Sequence, residues 1–201
     1  MKQQEIVYRH VACGCIDGTK RFTQLGIAKA LCLPLSTVNG AVANLKSINA
    51  VRIGPRYFDV IDLGRILLFW ATKRKLDNDV IYRTRVDLPT KEIENSMPGE
   101  IAFTCYSAYR LLFKETPADY GEVYVYASEK GSAQVKRRFE EHGGPPNLIV
   151  LKPDSILESL IYDNKLKHSS VCAAQLFVDL WNLKAWYAKD YIDALSKRLG
   201  I

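Results

Sequence analysis

TQLGIAKALCLPLSTVNGAVANLKSINAVRIGPRYFDV, residues 23–60, decides how this chain is read. Thr23 is placed to cap a helix running to Leu31, with Ile27, Ala28 and Leu31 facing inward. Cys32-Leu33-Pro34-Leu35 is a turn, because Pro34 cannot continue the helix. Ser36 is expected to cap a second helix to about Ser47, whose apolar positions Val38, Ala41, Val42 and Leu45 recur at three and four. Two short strands follow, Ala50–Ile53 and Arg56–Val60, on either side of the turn pair Gly54-Pro55.

Helix, tight turn, helix and two-stranded ribbon, in that order, resemble the winged helix-turn-helix DNA-binding domains. The resemblance implies a second helix lying in a major groove and a ribbon touching the flanking backbone. With Val38, Ala41, Val42 and Leu45 inside, the periodicity turns Thr37, Asn39, Gly40, Ala43, Asn44 and Ser47 outward. Asn pairs bidentately with adenine, and Ala43 or the Thr37 methyl can meet a thymine methyl. No Arg lies on this helix, so guanine readout is not expected from it. Gly40 would permit close approach to a duplex. Lys46, Arg52 and Arg56 are expected on phosphates or in an adjacent minor groove, with Tyr57 beside them. The alternative is a helical pair used for protein contacts.

Charge agrees with a polyanionic partner. Residues 1–75 hold 12 Lys/Arg and 4 Asp/Glu, net +8, whereas residues 76–201 hold 16 and 18, net −2. No acidic residue occurs from Gly18 to Phe58, while Lys20, Arg21, Lys29, Lys46, Arg52 and Arg56 lie inside. A positive field confined to one end is what phosphate binding requires, although a solvated basic face without a partner gives the same pattern. The 201 residues are 48% hydrophobic and 25% charged, which excludes disordered and collagen-like chains. The longest apolar stretch, Ile66–Ala71, is too short to span a bilayer, and the first ten residues carry no apolar leader core. Five cysteines do not make a disulfide framework, so a reduced, cytoplasmic protein is expected.

The shift in charge falls at the run Lys73–Asp79, which divides a segment 1–76 from a segment 77–201. Before the opening stretch, Lys2–Val11 reads as a helix. After it, Asp62–Lys75 reads as a third helix, apolar around much of its circumference, for burial against the second segment or in a dimer. The second segment alternates. Strands are expected at Val80–Val86, Glu122–Ala127 and Leu148–Leu151. Helices are expected at Thr90–Met97, from Ala102 or Thr104 to Lys114, at Ser132–His142, and from Ala173 to Leu199 with a break near Leu183–Lys184. The fold class is therefore α+β/α/β: a winged helix-turn-helix followed by a small α/β unit with a helical tail.

The residues that could carry chemistry are sparse. His10, Cys13, Cys15 and Cys32 lack zinc spacing and read as small buried cysteines beside a lone His. His168-Ser169-Ser170 has no acid partner and reads as a loop or cap. Gly131-Ser132 opens a helix that could cradle a phosphate, but no paired carboxylates follow, and Asp154 and Asp163 stand alone. No catalytic residue, metal or cofactor is assigned. An enzyme of nucleotide or nucleic-acid metabolism, nucleotidyltransferase-like with the second segment catalytic, is the alternative to a regulator.

The second segment also carries Ser107-Ala108-Tyr109-Arg110-Leu111-Leu112, the strand Val123-Tyr124-Val125-Tyr126, and Val171 followed by Gln175-Leu176-Phe177-Val178-Asp179-Leu180-Trp181. With the basic amino-terminal unit, this arrangement resembles the AbiE-type antitoxin and transcriptional-regulator family. The resemblance implies a winged helix that binds promoter inverted repeats as a repressor, with that role carried onto Thr37, Asn39, Asn44, Arg52 and Arg56. It also implies a carboxyl-terminal domain that neutralises a nucleotidyltransferase toxin. Double-stranded DNA, a toxin or other protein partner, and a second copy of the chain are the partners it suggests. Gln175 and Asp179 are expected to fix helix packing.

Overall fold

In the computed structural model, which describes residues Met1–Ile201, the chain forms a mixed α/β fold of ten α-helices and two small sheets. Helix α1 (Gln3–Ile16) is longer than its apolar pattern predicts. A two-residue strand, β1 (Arg21–Phe22), precedes α2 (Gln24–Leu31), which starts as expected: the Thr23 hydroxyl accepts from the Gly26 amide at 3.0 Å. Cys32 closes α2 in the left-handed region at φ 50°. The next helix, α3 (Leu35–Ser47), begins one residue before the expected Ser36 cap, because the Pro34 carbonyl already accepts from the Thr37 and Val38 amides. Strands β2 (Val51–Ile53) and β3 (Phe58–Val60) follow, and β1 joins them in an antiparallel sheet of order β1-β3-β2. The Asp62 carboxylate then accepts from the Arg65 amide at 2.9 Å and starts α4 (Leu63–Lys73).

A 3-10 turn at Leu76–Asp79 leads into the second segment. Its elements are β4 (Val80–Thr84), α5 (Thr90–Asn95), β5 (Ile101–Thr104), α6 (Cys105–Phe113), β6 (Val123–Ala127), α7 (Glu129–Arg138), β7 (Leu148–Leu151), α8 (Ser155–Tyr162), α9 (Ala173–Trp181) and α10 (Ala188–Leu199). The sheet order is β4-β7-β6-β5, with β6 and β7 parallel in the centre and antiparallel strands at both edges. Three expectations are corrected here. Residues 101–104 form a strand and only then a helix, because four fully buried residues pair with β6. Helix α7 starts three residues before Ser132, at the Ser128 cap. Helix α8, which was not foreseen, starts at Asp154, whose carboxylate accepts from the Ile156 and Leu157 amides at 3.2 Å. No helix is long and apolar enough to cross a membrane.

One buried apolar cluster runs through both segments. Its centre is α9, buried from Ala174 to Leu180 and packed against α1, α4, α6 and α10. Two arginines from the first segment enter this region. Arg9 donates to both Asp154 oxygens at 2.7 Å and to Gln175 Oε1 at 2.8 Å. Arg74 donates to Asp79 at 2.6 Å, to the Tyr126 hydroxyl at 2.9 Å and to Asp179 at 3.4 Å. Asp179 accepts in addition from Thr104 and Tyr126, both at 2.8 Å. Asp154, expected to stand alone, is therefore half of an ion pair, whereas Gln175 and Asp179 do bind α9 to its neighbours. Burial pushes the Asp179 carboxyl up, against the opposing pull of Arg74, Thr104 and Tyr126. At Asp154 burial also acts upward, but Arg9 outweighs it and holds the carboxyl below its ordinary value.

The cysteines depart from expectation. Cys13 of α1 and Cys172, the residue before α9, are disulfide-bonded with Cα atoms 6.6 Å apart. Their 159-residue separation gives no spacing signal; only the packing of α1 on α9 brings them together. Of the remaining three, Cys105 is buried, Cys15 half-buried and Cys32 exposed, so the reading of Cys13, Cys15 and Cys32 as small buried cysteines is corrected for all three.

Removing either partner of the Arg9–Asp154 pair leaves the other charge buried, which costs about 3–5 kcal/mol. Arg9→Met and Asp154→Asn are each expected to lose that much in urea unfolding, and Arg9→Met with Asp154→Leu to recover a large part. Losses that simply add in the double variant would show the pair to be uncoupled.

His10 lies edge-on to Phe22 at 6.3 Å, and burial, helped by Arg9, lowers its pKa below the ordinary 6.5. The unfolded chain then takes up the proton first. This contribution to stability is complete above pH 6.5 and is lost as pH falls through the folded value. Thermal midpoints should drop between pH 7 and pH 5, and His10→Gln should flatten that drop. An equal drop in the variant would remove His10 as its source.

Candidate nucleic-acid interface

Helix α3 has three faces. Val38, Ala41, Val42 and Leu45 are buried against α2 and the core, as their spacing predicts. Thr37, Gly40 and Asn44 lie beside α1 and are half-buried, where full outward exposure was expected. Asn44 Nδ2 donates to the Tyr8 hydroxyl at 3.0 Å and to Gln4 Oε1 at 3.4 Å, and the Thr37 hydroxyl donates to Gln3 Oε1 at 3.4 Å. A Cβ on Gly40 would lie 2.9 Å from Gln4 Nε2, so α1 already occupies the space reserved for a duplex. The remaining stripe is Ser36, Asn39, Ala43, Lys46 and Ser47, all exposed. Of the sequence-assigned contacts on this helix, Asn39, Ala43 and Lys46 face solvent.

The ribbon joins α3 through a tight turn, in which Asn49 adopts φ 54° and the Ala50 amide donates to Leu45 O at 3.0 Å. Alternation points Val51, Phe58, Val60 and Phe22 inward and Arg21, Asp59 and Arg52 outward. Those three form one row, since Arg21 and Arg52 are both register partners of Asp59. Arg21 grips Asp59 at 2.7 and 3.2 Å, which holds the carboxyl below its ordinary value. Its guanidinium also lies 4.0 Å from the Tyr57 ring centroid. The ring also lies close to Gly54, where a Cβ would sit 2.8 Å from ring carbons. Tyr57 therefore props the turn and is half-buried. Arg52 and Arg56 are exposed, as are Lys20, Lys29 and Lys46, and none of the five forms an ion pair.

Sequence reasoning missed Arg21 and Asp59. The mirrored pairs Arg21-Phe22 and Phe58-Asp59, each with one polar and one aromatic residue, were the available signal for a third strand. Elsewhere three buried carboxylates meet arginines, Asp154 with Arg9, Asp179 with Arg74 and Glu94 with Arg110, and the fourth, Glu5, accepts from Trp70 Nε1 at 3.2 Å. No three His, Cys, Asp or Glu side chains gather as metal ligands would. Gly131 packs against the Glu100 carbonyl and its amide donates to the Ser128 hydroxyl at 3.0 Å, within the first turn of α7. No protein-family model matches the chain, and no curated protein and no solved structure matches it either.

Because Gly40 faces the flexible tip of Gln4, Gly40→Ala should be tolerated: helix propensity gains about 1 kcal/mol, and moving Gln4 offsets part of it. The expected result is a melting midpoint equal to or slightly above that of the parent and duplex affinity within about twofold. A large loss of affinity at unchanged stability would return Gly40 to the binding surface.

Proposed function

We propose that this chain is a non-enzymatic, sequence-specific regulator that binds double-stranded DNA through a winged helix-turn-helix unit. One observation carries the reading. The solvent stripe of α3 holds no carboxylate and continues into a ribbon whose Arg52 and Arg56 have no ionic partner. A duplex placed there meets Asn39 and Ala43 at base edges, with Lys46, Arg52 and Arg56 on phosphates. Asn39 is the only side-chain amide on that stripe, so adenine at one position is the strongest base preference expected. Residues 77–201 hold α1 and α4 in place. On the AbiE-type resemblance they would also take a protein partner, and two copies would share an inverted repeat.

Gel-shift titration against the chain's own upstream DNA, at two salt concentrations, tests this. Arg52→Ala with Arg56→Ala should weaken binding to every sequence and flatten the salt slope by about 2, one unit per lost phosphate contact. Asn39→Ala should relax preference at one base pair by about 1–3 kcal/mol and leave the salt slope alone. Binding no tighter than to random DNA would overturn the regulator, and an unchanged salt slope would remove the ribbon from the interface.

A further inference from the structure

The Cys13–Cys172 bond lines a cavity of about 370 Å³ that opens between α1, the end of α6 and the loop before α9. Leu112, Phe113 and Val171 give the cavity an apolar wall; its charges are Asp17, Lys165, which is paired with Asp163, and Lys167, a cation with no carboxylate partner. Both cysteines are half-buried, and both line the cavity. By contrast Cys105 is wholly enclosed, and burial pushes its thiol pKa up, which makes it inert to exchange.

We propose that Cys13 and Cys172 form a thiol–disulfide exchange site for a low-molecular-weight thiol that enters this cavity, and that exchange opens and closes the covalent link between α1 and α9. The thiolate of such a compound attacks one protein sulfur. The sulfur–sulfur bond breaks, a mixed disulfide forms on that cysteine, and the other cysteine leaves as thiolate. A second molecule of the thiol attacks the mixed disulfide, giving the small symmetric disulfide and two protein thiolates. The two protons released as the attacking thiols ionise end on the two protein thiolates, which become thiols. Lys167 at the cavity wall stabilises the departing thiolate, as cations beside cysteine do. This inference rests on the contact of α1 with α9 and stands apart from any duplex bound at α3.

The test uses the full chain, equilibrated in mixtures of reduced and oxidised glutathione, quenched in acid, alkylated and mapped by peptide mass. The linked Cys13–Cys172 fraction should pass from under about a tenth to over about nine tenths across the series, with mixed disulfide on Cys13 or Cys172 as the intermediate. In Cys13→Ser, Cys172 should carry the adduct. Lys167→Gln should slow reduction about 2- to 10-fold at an unchanged melting midpoint. A pair that never links, that opens only in denaturant, or whose adducts fall on Cys15 and Cys32 instead would overturn the site. An unaltered rate in Lys167→Gln would remove the lysine from it.

Discussion

Burying a guanidinium without a carboxylate costs several kcal/mol, so the positions of Arg9 and Arg74 compel those of Asp154 and Asp179. The two arginines leave α1 and the end of α4 and end beside α8, α9 and the face of the four-stranded sheet that carries Tyr126 and Thr104. Apolar packing alone would let α9 slide along α1 and α4, since dispersion has no direction. The bidentate grip of Arg9 on Asp154 and the threefold acceptance at Asp179 remove that freedom. From there orientation passes outward. A fixed α1 presents Gln3, Gln4 and Tyr8 to α3, and α3 is thereby rotated so that Ser36, Asn39, Ala43, Lys46 and Ser47 are what solvent meets. The surface proposed to meet DNA is thus aimed by ion pairs in the other half of the chain.

The parts of this arrangement that the sequence announced are those written in apolar periodicity. Ile27, Ala28, Leu31 and Val38, Ala41, Val42, Leu45 mark two helices because oil-to-core spacing is visible along one chain, and Gly54-Pro55 marks a turn through backbone chemistry. The rotation of α3 was hidden because its contact with α1 is polar on both sides. An asparagine bonded to a tyrosine and a glutamine reads, from its own helix, like any solvent-facing residue. Strand β5 was absorbed into the following helix because Ile101-Ala102-Phe103 is a short buried run without alternation, which strand and helix share. Strand β1 has two residues and therefore no period. The ion-pair partners of Arg9 and Asp179 and the disulfide partner of Cys13 lie more than 100 residues away, where spacing carries no information.

The charge count of the first segment overstated what its ribbon offers a polyanion, and the reason is geometric. A stretch without acids from Gly18 to Phe58 looks uniformly cationic, yet Asp59 stands one residue beyond it in the central strand, flanked by Arg21 and Arg52 in register. Arg21 is the better matched of the two, with two hydrogen bonds to the carboxylate and its flat face on Tyr57, so its charge is engaged before any ligand arrives. The hydrogen bond from Arg21 holds the Asp59 carboxyl below its ordinary value. Arg52 sits across the strand without an ion pair of its own, and Arg56 lies in the turn beyond the row. Free positive charge on the ribbon therefore lies at its turn, on Arg56, and on the edge strand β2 beside α3, on Arg52. The central carboxylate repels phosphate from the middle of the sheet. Such a pattern favours one docking pose, with the helix stripe and the ribbon tip both engaged, over the many poses a uniformly basic face would accept.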